Sequence, residues 1–224
     1  MTDGAGVPPL PGGAGGGGLA AVGDATQPPW VARAWLETLR GMADRTAHEV
    51  RGALNGVALN LEVVRARSEK GAANTAGVAR YAAAAADQLE AVTARAEALL
   101  SLTRAPRHPI DVAAAARDVV TLLAPSTRSE GGSLALETAD AETVTAAEPE
   151  VVRLVIAAVL LAAIGRPATV LCRIAVRDAI ILRVEGAGGS PGVAPDVARA
   201  AADAGIGIEH HRDAFSVAFP VMPR

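Results

Sequence analysis

Aromatic side chains are nearly absent: two Trp, one Tyr and two Phe are all that 224 residues contain. A core made from this chain must therefore be built of Ala, Val and Leu, which favours closely spaced helices because Ala joins the best helix propensity to the smallest side chain. The same scarcity leaves no row of rings on which bases could stack. A basic excess is missing too, since the net charge is −3; with no clustered positive face, nucleic acid is not an expected partner. The single Cys172 excludes an intramolecular disulfide and fits a reducing compartment. On an apolar strand it reads as a small buried hydrophobe. Long hydrophobic runs are also lacking. The longest, Leu154 to Ile164, is about half of the ~20 residues a membrane span needs. The N-terminus carries Asp3, no early Lys or Arg, and Pro and Gly in place of an apolar segment, so it does not read as a signal peptide. A soluble, cytoplasmic protein with no membrane partner is expected.

What is present falls into three segments. Residues 1–28 are rich in Gly and Pro and bury too little apolar surface to offset their ordering entropy, so a disordered tail is expected. Residues 29–104 change to a long helical pattern. Pro29 suits a first turn, where its missing N–H has no helical acceptor. Apolar or small positions then recur at Leu36, Leu39, Ala43, Ala47, Val50, Leu54, Val57, Leu61 and Val64, in steps of three and four that make a heptad-like seam. That helix is expected to run to about Arg67. The polar stretch from Ser68 to Asn74, with Gly71 inside it, suits a tight connection. A second seam follows through Val78, Tyr81, Ala85, Leu89, Val92, Ala96, Leu99 and Leu102, and ends where Pro106 and Pro109 cannot continue a helix. Two such helices make an antiparallel hairpin. Because one hairpin leaves much of its seam wet, pairing of two hairpins into a homodimeric four-helix bundle is the economical remedy.

Residues 110–224 alternate helix and strand signals. Helices are expected at 111–124, 148–165 and 194–204. Strands are expected at 132–138, 142–146, 169–176, 179–185, 206–210 and 214–220. Glu148-Pro149-Glu150 puts acids and proline in a first turn, and the strands around Arg177-Asp178 read as a hairpin. The whole is α+β: an N-terminal helical hairpin followed by an α/β sandwich.

On the first helix His48 lies seven residues before Asn55 and fourteen before Glu62, all off the apolar seam. Its imidazole should face solvent, with Glu49 adjacent and Arg51 one turn on. An exposed neutral imidazole is a competent nucleophile toward phosphorus. A nearby carboxylate can hold its ring proton, and a guanidinium can steady phosphate oxygens. Geometry alone favours an ordinary surface histidine over a phosphoacceptor. Other sites are weaker. His210 and His211 are neighbours on a strand and point to opposite faces, so they cannot share a metal, and position 52 lacks the second His of a zincin helix.

The run His48-Glu49-Val50-Arg51-Gly52-Ala53-Leu54-Asn55 resembles the histidine box of bacterial sensor kinases, usually His-Glu-Leu-Arg-x-Pro-Leu-x. It departs in Ala53, where a proline is usual, and in Gly52, where many such enzymes carry Thr or Asn to orient a water for dephosphorylation. The resemblance extends over roughly residues 30–220. Asp111-Val112 through Leu123 is similar to the start of the kinase ATP-binding domain, and Glu148 through Ile164 to its N-box helix. Residues 214–220 resemble the closing strand. The chemistry of ATP is missing from this pattern. Ala158 and Ala162 stand where a magnesium-holding Asn is expected, and neither methyl can ligate a metal that demands oxygen. Glu185-Gly186-Ala187-Gly188-Gly189 is a poor match to the adenine-binding Asp-x-Gly-x-Gly, and about fifteen residues are too few for an ATP lid. The glycines of 186–192 read better as a turn.

The resemblance therefore implies a histidine phosphotransferase with a degenerate ATPase-like domain. His48, Glu49 and Arg51 would form the catalytic group, and the chain would bind no cofactor of its own. The partners implied are response-regulator receiver domains, whose own bound Mg2+ would stabilise the transferred charge. The alternative is a non-catalytic pseudokinase dimer that docks a receiver or a sensor kinase and modulates it. Charge is compatible with the first: the hairpin 29–104 is net +2 and 105–224 net −3, so a mildly basic flank would face an acidic receiver pocket.

Overall fold

The computed structural model describes residues 29–69, 75–105, 108–164, 169–186 and 192–222. The expected tail of 1–28, most of the expected helix connection and the middle of the glycine segment lie outside them.

The helical text of the first half becomes two helices, α1 (Pro29–Glu69) and α2 (Thr75–Thr103), packed against each other along their length. Ala53 sits inside α1 without interruption, because no proline removes a backbone donor there. The register of the hairpin is set by a polar pair. Asn60 Nδ2 donates to Gln88 Oε1 at 3.3 Å, and a Cβ on Gly56 would fall 2.7 Å from Gln88 Nε2. The heptad seam divides in two. Leu39 is buried, and Val50, Val57 and Val64 are half-buried, while Leu36, Ala47, Leu54 and Leu61 are exposed.

The second half begins with β1 (Ile110–Asp111) and α3 (Val112–Ser129), then β2 (Ser133–Thr138), β3 (Val144–Thr145), α4 (Pro149–Ala163), β4 (Thr169–Val176), β5 (Ala179–Glu185), α5 (Pro195–Asp203), β6 (Gly207–His211) and β7 (Ala214–Pro220). Five strands form one sheet in the order β2-β4-β5-β7-β6, with β2 and β4 parallel and the other pairs antiparallel. β1 and β3 pair separately. Alternation puts Val170, Cys172, Ile174, Ile180, Leu182, Val184, Phe215, Val217 and Phe219 on one face, all buried in the core shared with the helices. Burial pushes the Cys172 thiol up to about 12, so it remains a protonated, unreactive core side chain. On the opposite face Arg173 bridges Glu137 at 2.8 Å and Glu185 at 2.7 Å, which lifts its pKa through the Glu137 hydrogen bond first. Such an exposed cluster adds solubility more than stability.

Helix α3 differs from expectation by running five residues past Ala124, with Pro125 inside it. Proline gives no N–H to the carbonyl four residues back. The turn is instead tied by hydroxyls: Ser126 Oγ and Thr127 Oγ1 both donate to Leu123 O at 2.9 Å, and both residues are buried. The start of α3 is as expected, with Asp111 accepting from the N–H groups of Ala113 and Ala114.

The hairpin and the α/β part share one core. Val31, Trp35, Leu39, Met42, Ala98 and Leu102 are buried in the same cluster as α3 and α4. Arg153 of α4 reaches the C-terminal end of α2, donating to Arg104 O at 2.9 Å, Ser101 O at 3.3 Å and Leu102 O at 3.4 Å. These carbonyls have no partner within their own helix, so a cation suits them well. Burial lowers the Arg153 pKa, with Asp118 and Glu150 opposing that shift. No helix among the described residues is long and apolar enough to cross a membrane.

Gly186 ends β5 with φ +89°, and a Cβ there would lie 2.0 Å from Thr169 O. This supports a turn glycine held by close backbone approach. Gly186→Ala should therefore cost roughly 2 kcal/mol or more. Gly131→Ala, with φ +86° but open space around it, should cost about 1 kcal/mol. The two melting temperatures, measured side by side, check the order.

Candidate functional site

His48 sits in the middle of α1, exposed, and makes no hydrogen bond or ion pair with any described residue. Arg45 precedes it by three residues and Arg51 follows by three, both exposed. At 3.6 residues per turn these positions border the same face. Thr46, one turn from Val50, is buried and donates to Met42 O at 2.9 Å, which fixes the inward side of this stretch. Gly52 has nothing within 4 Å of where a Cβ would be; the surface beside His48 is open.

Glu49 is placed differently from its neighbour. It is half-buried and turned to the end of α3, where Ser129 Oγ lies 3.2 Å from its Oε1. Arg45 Nη1 and Glu130 Oε1 stand 3.9 Å apart beside it. The structure thus joins Glu49 to α3 and does not join it to His48 by a hydrogen bond. Arg95 of α2 belongs to the same level. Stepping two turns from Gly56 and Gln88 along their antiparallel helices reaches Glu49 and Arg95, and Arg95 Nη1 is buried with no partner.

Ser129, Glu130 and Arg95 were not singled out by the sequence. The helix expected at 111–124 ends before Ser129, and nothing local marks a residue eighty positions from Glu49 as its neighbour. Arg95 falls between apolar seam residues and reads as an ordinary helix-surface cation.

A cleft of about 690 Å³ opens at the junction of α2 and α3, lined by Ser101, Arg104, Asp111, Asp118 and Arg153 among others. His48 is not part of it. On α4, Ala158 and Ala162 are half-buried, and α5 lies against that helix with Val197, Ala200 and Ala201 buried. His210 stacks on Phe215 with ring centres 4.3 Å apart, whereas His211 approaches Glu209 at 3.5 Å, so the two histidines do point apart.

No protein-family model and no curated protein matches the sequence. Among solved structures the chain is similar to the Acinetobacter baumannii histidine kinase AdeS, at 14% identity and TM-score 0.42, over 79% of this chain and 98% of that one. It is also similar to the cytoplasmic segment of the histidine kinase QseC, at 19% identity and TM-score 0.40, over 61% and 93%. A third is full-length ShkA in complex with AMPPNP, at 18% identity and TM-score 0.38, over 83% of this chain but 46% of that protein.

Proposed function

We propose that this chain is a homodimeric, cytoplasmic histidine phosphotransfer protein of a two-component relay, carrying the phosphoryl group on His48 and binding no ATP. The observation that carries this reading is an exposed imidazole without a partner among the described residues, bordered by two guanidinium groups on a long uninterrupted helix. A histidine in a core or an ion-pair network would be engaged; this one is open to a partner protein. A small-molecule donor would instead favour a concave site, and the cleft at the α2–α3 junction lies elsewhere.

In the proposed step a ring nitrogen of neutral His48 attacks the phosphorus of an aspartyl phosphate on a receiver domain. The P–N bond forms, the P–O bond to the aspartate breaks, and the freed carboxylate stays on the receiver. The second ring nitrogen, cationic after attack, gives its proton to water or to a carboxylate. Running the step backward loads a second receiver. In-line placement and charge stabilisation are what such transfer requires. The receiver's Mg2+ would supply part of the latter and Arg51 of this chain a further part. The absence of an oxygen ligand at Ala158 and Ala162 supports a chain that does not hold magnesium-ATP.

Wild-type protein incubated with a radiolabelled phospho-receiver, without ATP, should acquire label that is acid-labile and alkali-stable. No label, from receivers that demonstrably bind, would replace this reading with the docking scaffold.

The dimer is supported by side chains left over once the hairpin has packed. Leu36, Leu54 and Leu61 on α1, with Leu89 and Leu100 on α2, are each about half exposed or more. Leu54 and Leu61 continue the stripe of Ala47, one heptad apart. A second copy of the same hairpin would cover them isologously. Replacing Leu54 and Leu61 together by Glu should convert a dimer to a monomer in light scattering, with the α/β part still folded; an unchanged mass would place the interface elsewhere.

A further inference from the structure

The cleft of about 690 Å³ at the α2–α3 junction has a size at which small molecules are held, and the transfer step at His48 does not use it. It opens where the chain passes from the hairpin to the α/β part. Ser101 and Arg104, one turn apart on α2, line it together with Asp118 of α3 and Arg153 of α4. Ile110 and Ala115, both buried, add an apolar lining.

The charges in this cleft are unequally engaged. Arg153 gives three hydrogen bonds to the last carbonyls of α2. Asp111, also in the lining, accepts from the N–H groups of Ala113 and Ala114 and from Thr143 Oγ1. The Asp118 carboxylate and the Arg104 guanidinium differ: among the described residues neither makes a hydrogen bond or an ion pair. Burial lowers the Arg153 pKa and the field of Asp118 opposes that shift, yet no hydrogen bond joins the two side chains.

Two guanidinium groups and two carboxylates make the lining neutral overall. A free anion would meet Asp111 and Asp118, and a free cation Arg104 and Arg153; a like charge nearby disfavours the charged form of either. Among the described residues there is also no cluster of His, Cys, Asp or Glu that could hold a metal. A molecule carrying both charges meets neither objection.

We infer that the cleft binds a small zwitterion with an apolar side chain, an amino acid or a dipeptide, its ammonium on Asp118 and its carboxylate on Arg104. The Ser101 hydroxyl, without a hydrogen-bond partner among the described residues, supplies a further donor to the carboxylate. The apolar side chain lies against Ile110 and Ala115. Such a ligand touches the hairpin and the α/β part at once, so it binds their joined arrangement and stabilises it. It is an effector at the joint and not a reactant at His48.

The test is calorimetric titration of the full chain with leucine and with leucyl-leucine. At least one should bind with a Kd of about 1 mM or tighter, a level open to so small a ligand, and the tighter of the two names the source. A hydrogen bond to a charged group contributes roughly a factor of ten or more. The tighter zwitterion should therefore bind at least about tenfold more weakly once its amine is acetylated or its carboxylate amidated. Asp118→Asn should abolish the penalty for acetylation, and Arg104→Gln the penalty for amidation. Both variants should melt near the wild-type temperature, since neither side chain is bonded within the described fold. Absence of binding by both zwitterions at about 10 mM overturns the inference, as do blocked forms that bind equally well or penalties that persist in the variants. The titration needs no receiver and no phosphate, so its failure leaves the role of His48 where it stands.

Discussion

His48→Gln should abolish phosphoryl acceptance from a phospho-receiver, by at least about a thousandfold, while leaving the protein as stable as wild type. Glutamine matches the reach of histidine and has better helix propensity. It has no basic lone pair on nitrogen, so no P–N bond can form and the covalent route closes. Stability should change by no more than about 0.5 kcal/mol, because His48 is exposed and makes no hydrogen bond or ion pair with any described residue. Arg51→Ala should be milder, with roughly a tenfold loss, since it removes one charge-assisted contact to the phosphate and not the nucleophile. Label incorporation and a melting curve on the same preparations separate these effects. Acid-labile label persisting in His48→Gln would mean another histidine carries the group. Equal loss in both variants would mean that receiver docking, rather than the bond to nitrogen, had been disturbed.

The parts of this molecule legible in sequence are those specified by local pattern. The heptad steps gave both long helices, Pro149 and Glu150 gave the start of α4, and the strand signals gave the positions of the sheet's five strands but not their order. What stayed hidden depends on distant partners. Leu36 and Leu39 belong to the same seam in the text, yet one is exposed and the other buried, because α2 covers one edge of the stripe only. Pro125 is a helix breaker by local rules; burial of Ser126 and Thr127 and their hydroxyl bonds to Leu123 override it. Arg153 reads as the polar position of an apolar helix, and its acceptors are carbonyls some fifty residues earlier. The exposure of His48 was readable because it is a property of one helix face. The company of Glu49 was not, because Ser129 reaches it through the tertiary fold alone.

Trp35→Ala should lower stability by about 3–5 kcal/mol, the usual cost of truncating a buried large aromatic. With an m-value of about 2 kcal/mol/M expected for a chain of this size, the urea midpoint should fall by roughly 2 M. The reason lies in where Trp35 is. Only 6% of it is exposed, and a hairpin standing alone would offer no such cover for α1 so near its first turns. Its neighbours in the shared core, Val31, Met42 and Leu102, come from both helices, and α3 and α4 close the other side. Loss of the indole should thus weaken the hairpin and the α/β part together, with helix and sheet signals lost in one transition. Arg153→Met, which releases the carbonyls at the end of α2, should act in the same direction with a smaller effect, near 1–2 kcal/mol, the cost of hydrogen bonds to a charged donor. If Trp35→Ala instead melted the helices early and left the sheet intact, the two parts would be independent bodies, and His48 would be presented by a hairpin free to move. A single cooperative loss makes the α/β part a fixed wall beside the stretch of α1 that carries His48.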